Sequence, residues 1–77
     1  MLNKEFQYYR NNQDALVAQY NGRFLTIVGD KVIGDYSSYL EAYVKTKATR
    51  QPGTFLIQEC TPGNQAYTVN YHNRIAL

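Results

Sequence analysis

The first twenty residues place apolar side chains on one side of a helix. The apolar positions recur at steps of three and four, apart from one interruption at Gln13, and are Leu2, Phe6, Tyr9, Leu16, Val17 and Tyr20. This spacing matches the 3.6-residue helical period and predicts a helix over about residues 2–21. Gly22 comes next and is typical of the left-handed residue that follows a helix C-terminus.

Asn11 and Asn12 lie in the middle of this stripe and are poor helix formers. One alternative, which we favour, is a continuous or kinked helix. The other is two helices, the second capped by the side-chain oxygen of Asn12.

A β-hairpin is predicted over residues 23–34. Two short apolar runs, Phe24 to Val28 and Lys31 to Ile33, are separated by Gly29-Asp30. A two-residue loop of this kind fits a type II′ turn, which needs a positive φ at its first position, here Gly29.

The predicted register distributes the apolar residues of the hairpin over both faces of the sheet. Ile27 is expected opposite Val32, and Leu25 opposite Gly34. The face expected to lie under helices comprises Leu25, Ile27 and Val32. The other face comprises Phe24, Val28 and Ile33. A sheet covered on one side only does not need this second apolar set.

A second helix is predicted over about residues 38–50. Ser38 and Glu41 fit a capping box, in which each side chain accepts from the backbone N–H of the other residue. Helical spacing joins Tyr36, Leu40, Tyr43, Val44 and Lys47. The basic residues near the C-terminal end complement the helix dipole and are Lys45, Lys47 and Arg50.

Two further strands are predicted over about residues 54–59 and 66–77. The first contains three adjacent apolar residues, and the turn after it, Thr61-Pro-Gly-Asn64, has the type II signature. The second alternates from Tyr67 onward. Its apolar side comprises Tyr67, Val69, Tyr71, Ile75 and Leu77, and its polar side comprises Thr68, Asn70, His72 and Arg74.

The order αββαββ predicts one small α+β domain over residues 1–77. We expect a mainly antiparallel four-stranded sheet in the order 2-1-3-4, with both helices on one face in a two-layer arrangement. The uncovered face, with its surplus apolar residues, would then be a candidate association surface.

The residue composition argues against several kinds of catalytic and metal-binding site. Cys60 is the only cysteine and His72 the only histidine, so neither an intramolecular disulfide nor a four-ligand zinc site of these residue types can form. The carboxylates occur singly, and no glycine-rich phosphate motif is present. A thiol–base pair of Cys60 and His72 has nothing in the sequence to bring it together. We therefore expect no enzyme activity, no cofactor and no metal.

The sequence also gives little reason to expect that the protein crosses a membrane or binds a nucleic acid. No apolar run approaches the length of a membrane span and the start does not look like a signal peptide, so a cytoplasmic location is expected. The net charge of +2 is thinly spread. On the last strand, the aromatic residues and the basic residues His72 and Arg74 point to opposite sides, which argues against a base-stacking platform.

Several segments together resemble a known family. They are Phe6-Gln-Tyr-Tyr9, Asn12-Gln-Asp14, Leu16-Val17, Tyr20-Asn-Gly22, Val32-Ile-Gly34, Glu41-Ala-Tyr43 and Gly53-Thr-Phe-Leu-Ile-Gln58. The family comprises very short bacterial and archaeal proteins classed as a domain of unknown function, often encoded beside retropepsin-like aspartyl proteases. The resemblance covers most of the chain, although Val28 and Gly29 depart from the more polar hairpin tip expected for the family. It implies a small αββαββ domain and a protein partner, and it carries over no catalytic residue.

The leading functional expectation is a non-enzymatic protein-interaction module. It would form a homodimer or bind a neighbouring gene product, possibly an aspartyl protease. The candidate interaction surface comprises Phe24, Val28, Ile33, His72 and Arg74. The alternative is a nucleic-acid-binding accessory protein.

Overall fold

The computed structural model describes residues 2–67, which form three helices and three strands. In chain order these are α1 (Asn3–Asn11), α2 (Gln13–Tyr20), β1 (Phe24–Val28), β2 (Lys31–Tyr36), α3 (Tyr39–Lys47) and β3 (Leu56–Glu59). The strands form an antiparallel sheet in the order β2-β1-β3. This confirms the α+β class and the predicted order of the first three strands. Of the predicted fourth strand, residues 66 and 67 are not in a strand and the rest lies outside the described residues.

The first predicted helix is two helices that meet at Asn12. The backbone at Asn12 (φ −118°, ψ 14°) leaves the helical region, although its N–H still donates to the carbonyls of Tyr8 and Tyr9. The predicted cap is wrong, because the Asn12 side chain does not accept a bond from α2. Its Nδ2 instead donates to the Tyr8 carbonyl oxygen at 2.9 Å and closes the last turn of α1.

The hairpin turn forms where the sequence predicts it. Gly29 has φ +62°, and no residue other than glycine has a positive φ within residues 2–67, which fits type II′ and excludes type I′. Ile27 pairs with Val32, as expected. The Gly29 N–H donates to the Glu5 carboxylate at 2.8 Å, so that α1 is tied to the hairpin tip.

A β-bulge then shifts the register of β2. Thr26 pairs with Gly34 and Leu25 with Asp35, so the predicted pairing of Leu25 with Gly34 is wrong. Ile33 is the extra residue. Beyond it, each side chain of β2 points to the face opposite to the one that the sequence pattern predicts.

The bulge brings Tyr36 opposite Phe24, on the same side of the sheet. The ring of Tyr36 then lies over Gly34, where a Cβ atom would be only 2.6 Å from the Tyr36 hydroxyl oxygen. Glycine at position 34 is therefore a packing requirement of this ring position and not a turn requirement.

Helices cover both faces of the sheet. One core cluster, which contains the α1 and α2 residues, comprises Tyr9, Leu16, Leu25, Ile27, Leu56 and Cys60. The other contains α3 and comprises Ala42, Phe55 and Ile57, with Phe24, Val28, Tyr36 and Tyr43 partly buried against it. Since alternate residues of β1 point to opposite faces, the domain has three layers. The predicted two-layer arrangement, with both helices on one face, is not confirmed.

The loop after β3 is held against the first two helices by polar contacts. The Gln13 side-chain amide donates to the carbonyls of Thr61 (2.9 Å) and Gly63 (2.7 Å), and the Tyr67 hydroxyl donates to Gln13 Oε1 at 2.7 Å. Gln13, the polar residue that interrupts the apolar stripe, thus anchors this loop to α2. Gly63 has φ +79°, as the predicted type II turn requires.

Candidate interaction surface

The structure divides the predicted interaction surface. Phe24 and Val28 are half-buried against the α3 cluster and do not form an open face. Ile33, at the bulge, is 40% exposed. His72 and Arg74 lie outside the described residues. The hairpin face that the sequence leaves uncovered is covered because α3 crosses it on the way from β2 to β3.

α3 packs on the sheet through its small residues. Ala42 and Thr46 are buried, and the Thr46 hydroxyl lies 3.1 Å from the hydroxyl of Thr26 on β1, in a buried contact. A buried hydroxyl needs a hydrogen-bond partner, and here the two threonines satisfy each other. Ala42 leaves room for the flanking aromatic side chains, of which Tyr43 and Phe55 lie with ring centroids 6.1 Å apart.

Three other apolar residues of α3 are exposed, whereas Tyr43 packs against the cluster. Leu40 is 70% exposed, Val44 48% and Tyr39 46%. We call Leu40 and Val44 the outer face of α3, since Tyr39, at the first helical position, lies about 100° away from Leu40, on the side of Thr46. With about 100° of rotation per residue, Leu40 and Val44 share one ridge and point roughly opposite to Ala42 and Thr46. Apolar residues of this helix therefore lie on its solvent side as well as on the side that packs against the sheet.

A ridge of this kind is unusual on a small domain. Single exposed apolar side chains are common, but here Leu40 and Val44 are neighbours on successive turns, at the point of the helix farthest from the sheet. Charged residues are the usual occupants of that position. Adjacent exposed apolar side chains favour a binding surface.

Charges of opposite sign lie at the two ends of α3. Its N-cap, Ser38, accepts from the Glu41 N–H at 3.1 Å, and Glu41 Oε1 accepts from the N–H (3.0 Å) and the hydroxyl (2.9 Å) of Ser37. The predicted bond to the Ser38 side chain is thus confirmed. The Glu41 carboxylate, however, accepts from Ser37 and not from the Ser38 N–H that the capping box predicts. These bonds from Ser37 lower the pKa of Glu41, so the N-terminal end carries a negative charge at neutral pH. Lys45 and Lys47 make the last turn basic.

The thiol of the chain is buried in the core. Cys60 is fully buried in the cluster with α1 and α2, next to Tyr9. Burial raises the pKa of the Cys60 thiol, and burial also raises the pKa of the Tyr9 hydroxyl, to about 12. The thiolate is the nucleophilic form, so this environment suits a core residue. His72 lies outside the described residues.

Two further features of residues 2–67 bear on function. No three side chains of His, Cys, Asp or Glu come together there in a way that could hold a metal ion. No helix in that part of the chain has the length and apolar character needed to cross a membrane.

Comparison of the chain with protein-family models, with curated proteins and with solved structures finds no match. Function therefore has to be inferred from the geometry of the chain itself.

Sequence patterns do not single out the outer face of α3. Helical spacing joins Leu40 and Val44 into a stripe, but the same spacing is compatible with a stripe turned toward solvent. A usable signal is present in Thr26, a polar residue on the hairpin face of Phe24 and Val28. A buried polar residue at that point favours a polar partner such as Thr46 over a leucine.

Proposed function

We propose that this protein is a non-enzymatic interaction domain that binds a protein partner through the outer face of α3. The observation that carries the proposal is the 70% exposure of Leu40 beside Val44 on the solvent side of a packed helix. Burying these side chains against a partner would recover about 25 cal/mol for each Å² of apolar surface removed from water.

The chemistry of the described residues supports binding over catalysis. The thiol of Cys60 is sealed inside the core and stays protonated, and the Glu41 carboxylate serves as a helix cap. The thiol is inaccessible to a substrate, and one carboxylate oxygen of Glu41 is occupied by its bonds from Ser37. Nothing in residues 2–67 favours the alternative of a nucleic-acid-binding protein, since the outer face of α3 is apolar.

The size of the surface sets the expected strength of binding. A nine-residue helix with three exposed apolar side chains offers much less surface than the roughly 800 Å² that each partner buries in a standard stable interface. We therefore expect a transient complex, with a dissociation constant on the order of micromolar or weaker. The partner would be a second copy of the chain or a neighbouring gene product, such as the aspartyl protease that the resemblance suggests.

Site-specific photo-crosslinking of the full chain in its native host tests the proposal. The photoreactive residue benzoylphenylalanine replaces Leu40 in one variant and Ala18 in a control, since Ala18 is exposed on α2. We expect a discrete protein adduct from position 40, lost when Val44→Glu is added to the same chain. The absence of an adduct at position 40, or an equal adduct at position 18, would contradict the proposal.

A further inference from the structure

We infer that the partner of the outer face of α3 is a second copy of this chain, with the two α3 helices packed antiparallel about a two-fold axis. The inference rests on the proposed function and specifies its partner. It is drawn from the order of apolar and charged residues along α3.

The apolar ridge is compatible with its own copy. In an antiparallel pair whose two-fold axis passes at the level of Ala42, Leu40 of one copy faces Val44 of the other, and the contact occurs twice. Each copy offers the same patch, as a two-fold interface requires. Because Ala42 and Thr46 face the sheet on the opposite side of the helix, this pairing leaves both domains intact.

The charges of α3 favour the antiparallel direction. Glu41 lies near the N-terminal end, and Lys45 one turn later on the same flank. In the register set by Leu40 and Val44, Glu41 of one copy lies about 3 Å along the helix axis from Lys45 of the other, within reach of both side chains. A parallel pair would instead bring the basic ends together. Antiparallel helix dipoles add to the same preference.

This charge pattern also distinguishes a second copy from an acidic partner. Lys45 and Lys47 lie on opposite flanks of the ridge, but the flank of Lys45 also carries Glu41. Here the capping contacts of Ser37 keep Glu41 ionised beside the ridge. It would repel an acidic segment, whereas it is complementary to the basic end of an antiparallel copy.

Disulfide trapping of the full chain tests the orientation. Two variants, Leu40→Cys and Val44→Cys, are mixed in equal amounts and oxidised, and the joined peptides are identified by mass spectrometry. Cys60 can stay in place because it is fully buried and the peptide masses reveal any bond that it makes. The variant Ala18→Cys measures the rate of random collision.

An antiparallel pair predicts that the mixed disulfide between positions 40 and 44 forms about fivefold faster or more than either same-position disulfide, since disulfide geometry requires close Cα atoms. A preference for 40–40 and 44–44 bonds would overturn the antiparallel arrangement. Rates no faster than that of Ala18→Cys would overturn the second copy as partner.

Analytical ultracentrifugation of the unmodified chain provides an independent measurement. We expect the mass to rise from 8.9 kDa toward twice that value with concentration. Leu40→Glu should raise the dissociation constant about tenfold or more, whereas Gln19→Glu, with the same charge change on an exposed site of α2, should not. An 8.9 kDa species up to about millimolar concentration would overturn the inference.

The photo-crosslinking adduct separates the proposed function from the identity of the partner. An adduct of twice the chain mass supports the second copy. If trapping fails while position 40 still forms an adduct with a different protein, the inference of a second copy is wrong and the proposed function stands. If position 40 forms no adduct at all, both are wrong.

Discussion

The two faces of the sheet are packed in different ways. Against α1 and α2, Tyr9, Leu25, Ile27 and Cys60 lose all contact with water, and Gln13 and Tyr67 bind the loop after β3 over this side. Against α3, the buried residues of the helix are Ala42 and Thr46, Tyr43 is half-buried, and Leu40 and Val44 remain outside. The helices on the first face are therefore more completely buried, and the helix on the second leaves apolar surface available for binding.

The test with the largest expected effect compares one truncation in the core under α1 and α2 with one on α3. Ile27→Ala should lower the free energy of unfolding by about 2–5 kcal/mol, because Ile27 is fully buried and a cavity remains. Val44→Ala, on the outer face of α3, should change it by no more than about 0.5 kcal/mol. Urea denaturation followed by circular dichroism, at a concentration where the chain is monomeric, measures both values. Similar losses for the two variants would refute the division of roles.

A second test examines what holds α3 to the sheet. Thr26→Val or Thr46→Val alone should cost about 1–3 kcal/mol, because each leaves one buried hydroxyl without its partner. The double variant should cost clearly less than the sum, since two valines of similar shape leave no unpaired group.

The coupling energy from this double-mutant cycle, measured by urea denaturation, reports the contact itself. Additive losses would mean that the hydroxyl pair does not position α3, and the outward direction of Leu40 would then need another physical cause.

The smallest expected effect concerns the N-terminus of α3 and depends on pH. Folding lowers the pKa of Glu41 from its ordinary value of 4.5, through the bonds from Ser37. The stabilisation is therefore present above pH 4.5 and is lost as the pH falls through the lower folded-state pKa. We expect Glu41→Gln to lower the melting temperature at neutral pH and to differ less and less from the wild type as the pH falls below 4.5.

Thermal melts across this pH range, with Asp14→Asn as a control for removing an exposed carboxylate from another helix, provide the measurement. A difference between Glu41→Gln and the wild type that stays constant with pH would show that the ionised cap does not contribute.

Local chemistry explains which parts of the fold could be predicted. Gly29 marks the hairpin turn and Ser38 with Glu41 the start of α3, because each depends on a backbone conformation or a cap within four residues. Long-range contacts could not be inferred in this way. Gln13 interrupts an apolar stripe, and its role appears only when the carbonyls of Thr61 and Gly63 lie beside it, about fifty residues later.

Two features of the fold could not be predicted from residue spacing alone. Periodicity indicates the spacing of a stripe but not the direction in which it faces, so it cannot assign Leu40 and Val44 to solvent. An alternating strand pattern likewise assumes an uninterrupted ladder. The extra residue at Ile33 leaves no mark in that pattern beyond the glycine that follows it, and the pattern therefore assigns the faces of β2 incorrectly beyond this point.

The bulge at Ile33 also disfavours pairing of β2 with further chains. Within residues 2–67, β2 is the strand at one side of the sheet, paired with β1 alone. A regular strand in that position would be a template for amyloid-like stacking of further chains. The irregular ladder at Ile33 and the charge of Lys31 are features that natural sheets use to prevent such growth. Association is thereby directed away from open-ended polymerisation along the sheet and toward contacts that close on themselves.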